Sequence, residues 1–194
     1  MIKTVYKVQV GAYEVKENAE KMAKKLKEAG FNATIIQAQV ELPDEEDKKI
    51  SGYKLVEQEL NKYLDSKTAR QDIIKNFNEY AKKVGNIRLR TDKDSLCSET
   101  VISAFYKAGL IDLIGKGCTG CGNLISNAKK LGTWYKGSSD IKPGDIVLYG
   151  KDSANHTEFA IDSKYNISGQ YKDGGVHKRV RAGRTIYGHI RPKY

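Results

Sequence analysis

The chain has 194 residues, 39% hydrophobic and 30% charged, the balance of one folded domain, or of one domain with a small appendage, rather than of a disordered tail. No apolar run approaches the ~20 residues that span a bilayer, and the opening MIKTVYKVQVGAY lacks an apolar core ahead of a small-residue cleavage site, so neither membrane insertion nor a secretory leader is expected. Lys and Arg outnumber Asp and Glu by 34 to 24, a formal charge of +10, which favours a polyanionic partner; no long basic tract interleaved with aromatics points to nucleic acid.

Residues 4–40 read as strand, helix, strand. Tyr6-Lys7-Val8-Gln9-Val10 alternates until Gly11. Ala19, Met22, Ala23, Leu26 and Ala29 then recur at helical spacing, Gly30 supplies a C-cap, and Ala33-Thr34-Ile35-Ile36 is β-prone. The acidic stretch Glu41 to Asp47, which carries the first proline, Pro43, reads as a linker over 41–52. The expected units are therefore 1–40, the linker, and a domain over 53–194.

From 53 to 84 the pattern is helical with a break near Asp65-Ser66, and Ile73, Ile74, Phe77, Tyr80, Ala81 and Val84 form one apolar stripe that reads as core. A second helix is expected over 96–108, with Cys97, Val101, Ala104, Phe105 and Ala108 on one face, and a shorter one near Leu124–Leu131. After Lys142-Pro143-Gly144 the reading turns to strands at 145–149, 156–162, 165–171 and 185–190. Helices followed by an antiparallel sheet make an α+β fold.

Two residues stand out chemically. Cys97 opens its helix, where unpaired N–H groups and the helix dipole favour a thiolate. His156 begins a strand whose alternation puts Phe159 and Ile161 on the core face and His156, Glu158 and Ala160 on the other. An imidazole there is placed to meet a helix N-terminus and to shuttle protons for a cysteine nucleophile. His177, in a basic Gly-flanked hairpin, and His189, near the end, read as surface or packing residues. Cys118-Thr119-Gly120-Cys121 is a CxxC, but one pair cannot complete a tetrahedral zinc site and no His lies at ligand spacing. It reads as a loop of small residues able to close into a disulfide, and neither metal nor cofactor is expected.

The run Cys97-Ser98-Glu99-Thr100-Val101, closing in Phe105-Tyr106-Lys107-Ala108-Gly109-Leu110, resembles the nucleophile helix of CHAP and NlpC/P60 peptidoglycan hydrolases. The likeness continues through Leu131-Gly132-Thr133-Trp134, the segment Lys142 to Tyr149, the His156 strand, and Ile186-Tyr187-Gly188-His189-Ile190-Arg191-Pro192, covering roughly residues 75–194. The resemblance implies a papain-like fold and hydrolysis of an amide in peptidoglycan, either the muramoyl–alanine amide or one in a stem or cross-bridge peptide. Cys97 would attack the carbonyl, His156 would act as general base and then acid, and the Cys97 N–H is a candidate oxyanion donor. The chain departs from the pattern at the third residue. Ser168 stands where relatives carry His or Glu, Gln170 where they carry Asn, and Leu96 replaces the usual Asp before the nucleophile. Gln170 is the first choice to orient His156, with Ser168 next and Glu158 a third option that also reads as a substrate contact, as does Trp134.

At the other end, Tyr6 to Tyr13, Lys16 to Lys21 and Leu26 to Phe31 resemble the SPOR domain. That likeness implies binding to peptidoglycan glycan strands, with Tyr6, Gln9 and Tyr13 as contacts. A full SPOR domain contains two βαβ halves and only one is present, too small to stand alone. It is expected to dock on the rest of the chain or to pair with a second copy in a homodimer. The resulting expectation is an endolysin-like wall hydrolase of phage or prophage origin, made in the cytoplasm and released by holin-type lysis or tail delivery. The rivals are a non-catalytic wall-binding protein and a thiol protease or amide-modifying toxin.

Overall fold

The computed structural model describes residues 16–36, 45–85, 88–169 and 174–194, with only the backbone of 45–51. The chain divides into two compact units, Met1–Leu42 and Pro43–Tyr194.

In the first unit, helix α1 spans Lys16–Glu28 and has no buried residue. Gly30, at φ +85, turns the chain so that its N–H donates to Lys27 O and that of Phe31 donates to Leu26 O, a two-bond glycine cap. The expected strand at Ala33–Ile36 is absent: residues 31–36 have no regular secondary structure, and Phe31, Ile35 and Ile36 are exposed. A β-prone segment becomes a strand only where a neighbouring ladder accepts it.

The second unit is α+β, as its pattern indicates. Helices α2 (Glu45–Asn61), α3 (Ala69–Val84), α4 (Cys97–Lys107) and α5 (Cys121–Leu131) precede or flank a six-stranded antiparallel sheet. Its strands are β1 (Trp134–Lys136), β2 (Ile146–Tyr149), β3 (His156–Ala160), β4 (Tyr165–Ser168), β5 (His177–Val180) and β6 (Ile186–Ile190), in the order β1-β6-β2-β3-β4-β5. The break near residue 65 is real: Asp65 adopts φ 53, and α2 and α3 end and begin on either side of it. Helix α2, however, starts at Glu45, inside the stretch read as a linker. An acidic run suits a first helical turn, where the dipole favours negative charge, as well as it suits a connector.

Helix α4 organises this unit. Residues Cys97 to Phe105 are all buried, because the helix lies against α2 and α3 on one side and β3 on the other. Phe105 meets Phe159 of β3 edge-on, with ring centroids 6.2 Å apart, and burying such a ring contributes about 2–3 kcal/mol. Gly109, at φ 73, ends α4 with the same two-bond cap: its N–H donates to Tyr106 O and that of Leu110 to Phe105 O. The Ala-Gly of the quoted motif is thus a helix stop. Ile146, Leu148, Phe159 and Ile167 belong to this core, while Val147, Tyr149 and Ala160 form a small separate cluster.

Candidate active site

Cys97 stands at the first position of α4, held in place by the packing of that helix, and is 7% exposed. Arg90 fixes the same turn. Its Nε and Nη2 groups reach Glu99 Oε1, each 2.7 Å away, and Nη2 also donates to Thr119 O at 2.5 Å, so one guanidinium ties the start of α4 to the loop before α5. Asn78 holds the Arg90 backbone in turn, accepting from its N–H at 2.7 Å.

His156 opens β3, directly across from Tyr149 of β2, and Glu158 lies opposite Ser168 of β4. The two-residue period puts His156 and Glu158 on one side of β3. His156 Nε2 is 3.2 Å from Glu158 Oε1 and 3.0 Å from Ser168 Oγ. Because the Ser168 hydroxyl donates to Gly169 O at 3.2 Å, it meets the imidazole as an acceptor. The Nε2 proton thus faces two acceptors, which leaves Nδ1 as the nitrogen for Cys97.

Glu158 is fully buried and surrounded by donors. Arg184 Nη1 donates to its Oε1 at 2.5 Å, Asn166 Nδ2 to its Oε2 at 3.0 Å, and Arg179 Nη1 lies 3.6 Å away. Asn166 also donates to Tyr149 Oη at 2.7 Å, and the Arg184 guanidinium sits 3.7 Å over the Tyr149 ring. Burial would raise the Glu158 carboxyl, but hydrogen bonds from His156 and Arg184 and the Arg184 charge hold it at about 2. Burial would likewise lower His156, but its bonds to Cys97 and Glu158 and their negative charge raise it to about 9. The Cys97 thiol is pulled well below its ordinary range, first by hydrogen bonding from the Cys121 thiol, against its own burial, and then by the bond and charge of His156. These directions describe a thiolate–imidazolium pair at neutral pH.

The structure brings together Cys97, His156, Glu158 and Ser168. Gln170, Tyr6, Gln9 and Tyr13 lie outside the described residues. Trp134 is not at this centre: it sits on edge strand β1, with β6 and β2 between it and β3, and packs partly buried against the core and Tyr187. Its indole packs over Gly188. His177 pairs with Asp65 at 3.2 Å, and His189 is buried, stacked on Tyr135.

Cys118 and Cys121 are free thiols with different partners, not a disulfide. Cys118 donates to Gly115 O at 3.2 Å, whereas Cys121 Sγ is 3.0 Å from Thr157 Oγ1. They diverge because Cys118 lies in the turn before α5 and Cys121 begins that helix. Sequence reading missed Cys121, Asn166, Tyr149 and Arg184 as neighbours of the site. Asn166 and Glu158 share a side of adjacent strands, a signal that parity alone could have supplied. Among the described residues no group of His, Cys, Asp and Glu is placed to hold a metal ion, and no helix is long and apolar enough to cross a membrane.

Residues 3–44 match the SPOR domain family model. No curated protein matches the chain by sequence. Among solved structures, the peptidoglycan hydrolase RipB from Mycobacterium tuberculosis is similar over 90% of this chain and 81% of its own, with 14% identity and a TM-score of 0.49.

Proposed function

We propose that the chain is a peptidoglycan hydrolase of the papain-like kind, in which Cys97 and His156 cleave an amide bond of the wall. The observation that carries the reading is the half-buried imidazole whose Nε2 is taken up by Glu158 and Ser168, so that its other nitrogen serves a cysteine at a helix start. The SPOR match supplies the substrate class, since SPOR domains bind peptidoglycan.

The thiolate attacks the amide carbonyl, and the oxyanion that forms is met by the Cys97 N–H at the positive end of α4. The His156 imidazolium gives its proton to the departing amine, leaving a thioester on Cys97. Neutral His156 then takes a proton from water, the hydroxide attacks the thioester, and the thiol is released. Glu158 stays ionised throughout, because Arg184 and Asn166 hold it so, and it stabilises the imidazolium in each half-reaction. The scissile bond is the muramoyl–alanine amide or one in a stem or cross-bridge peptide. The Met1–Leu42 unit anchors the chain on glycan, and two copies pair through the apolar Phe31, Ile35 and Ile36, which are 65%, 46% and 69% exposed.

Turbidity loss of purified Gram-positive sacculi tests the reading. The parent is expected to clear them and release soluble fragments, and Cys97→Ala to do so at least about 10³-fold more slowly while still sedimenting with the sacculi. A parent that sediments without clearing would make the protein a wall binder, and one that does neither would remove the wall as substrate.

A further inference from the structure

Arg184 is only partly spent on Glu158. It stands in the turn between β5 and β6, its side chain is 23% exposed, and its one hydrogen bond among the described residues runs from Nη1 to Glu158 Oε1. Arg181, three residues earlier, shows what a purely structural arginine looks like in this fold. It is 9% exposed and donates from Nε to Asn166 Oδ1 at 3.0 Å and from Nη2 to the Asp162 carbonyl.

The Arg184 guanidinium is nonetheless fixed in place. It lies 3.7 Å over the ring of Tyr149, which is 4% exposed. Stacking holds the guanidinium plane and uses none of its five N–H donors, so the edge formed by Nε and Nη2 stays in position for a planar acceptor. Arg184 and Arg179 both line a groove of about 520 Å³, with His177, Lys178, Val180 and Ala182 as its other walls. Among the described residues, none that lines this groove is acidic. The groove adjoins the catalytic centre, because Glu158 Oε1, which accepts from Arg184, is 3.2 Å from His156 Nε2.

We propose that Arg184 is a specificity residue, whose Nε and Nη2 edge binds a free carboxylate on the peptide part of the substrate, a few residues from the scissile amide. Two hydrogen bonds separate the guanidinium from the imidazole, a distance that a few residues of extended peptide cover at about 3.4 Å each. Guanidinium and carboxylate are both planar forks and pair through two parallel, charge-assisted N–H···O bonds. Since Tyr149 orients the arginine before substrate arrives, little side-chain freedom is lost on binding. Amidation of that carboxylate replaces one acceptor oxygen by an NH2 donor, which sets donor against donor at the fork. The enzyme thereby selects stem peptides with a free acid at that position over those with a carboxamide.

The proposal rests on the wall-hydrolase reading for its substrate class, so its test reads binding apart from turnover. Soluble muropeptides are prepared in pairs that differ in one carboxyl, free or amidated, with each stem carboxyl varied in turn. Calorimetry on full-length Cys97→Ala is expected to find the free acid at one position bound about tenfold more tightly than its amide. Arg184→Gln in the same background should bring that pair within about twofold. Arg184→Lys keeps the charge without the fork and should recover only part of the preference. A structural role exerted through Glu158 would weaken both peptides alike and leave their ratio unchanged. In the parent the preference should appear in KM rather than in kcat. Equal binding of every acid and its amide would overturn the proposal, and so would a preference that survives Arg184→Gln. If Arg184→Gln melts below the assay temperature, Arg184→Lys decides, and an unchanged ratio there overturns it. Displacement of the acid peptide by glycerol phosphate oligomers at lower concentration than by the peptide itself would give the groove to wall phosphate and also overturn it. If Arg184 sets the preference but the parent cuts neither peptide, the carboxylate site stands and the hydrolase reading fails.

Discussion

Glu158 is the residue on which the electrostatics of the site turn. Sequence reading had placed it on the side of His156 by parity, yet looked first to Gln170 because relatives carry the orienting group on the next strand. A carboxylate two residues along β3 does the same work, and Ser168 joins it from β4. Parity could name the face; it could not say that Arg184 and Asn166 would fold over Glu158, because those contacts come from the β5–β6 turn 26 residues away and from β4, 8 residues away. Replacing Glu158 by Gln removes the charge that helps raise His156 to about 9. The alkaline limb of the pH–rate profile, set by loss of the imidazolium proton, is expected to move to lower pH, with the rate at neutral pH down by roughly 10²-fold. Stability has its own sign. The folded carboxyl lies at about 2 against 4.5 unfolded, so its contribution, on the order of 3 kcal/mol, is fully present above pH 4.5 and is lost as pH falls toward 2. Thermal melts of parent and Glu158→Gln should therefore differ most above pH 4.5 and converge at low pH.

At the level of elements, the helices were the readable part, because an apolar stripe at helical spacing reports a buried face directly. The α4 boundaries, the break at Asp65 and strands β2, β3 and β6 follow from pattern and punctuation. The short strands β1 and β5 were missed as strands. They have three and four residues, lie at the two edges of the sheet, and alternate too briefly for periodicity to register. One sequence feature has a tight structural reason that no pattern announces. A Cβ built on Gly169, just after β4, would lie 2.0 Å from Thr100 Oγ1 on α4, so glycine lets the end of β4 approach that helix. Thr100 cannot easily yield, since its hydroxyl is bonded to Leu96 O at 2.7 Å. Gly169→Ala is expected to cost about 1–3 kcal/mol by pushing β4 from α4, and to withdraw Ser168 from His156. A denaturant melt should show the loss of stability, and clearing should slow by more than the melt alone explains at a temperature where the variant is fully folded.

For the whole molecule, the division at Leu42/Pro43 separates two tasks that differ physically. In the proposed reading, bond cleavage depends on a partly buried ion pair inside the second unit, less open to salt than surface charge. Retention on an insoluble, anionic polymer, in the same reading, is a surface property, to which the SPOR-like segment and the net charge of +10 would both contribute. Among its described residues the first unit holds α1 with no buried side chain and an exposed apolar Phe31, Ile35 and Ile36, which the proposed pairing would cover. Residues 43–194 expressed alone should thus keep their rate on soluble wall fragments within about twofold, because the ion pair and its supports all lie within them. They should lose most sedimentation with sacculi, and what remains should fall steeply with added salt, as exposed charge is screened beyond about 10 Å at 0.1 M. Analytical ultracentrifugation at micromolar concentration should find the shortened chain monomeric and the full chain dimeric. A full chain that runs as a monomer would remove the pairing while leaving the anchor intact. A shortened chain that still sediments with sacculi at high salt would place wall binding in the catalytic unit itself.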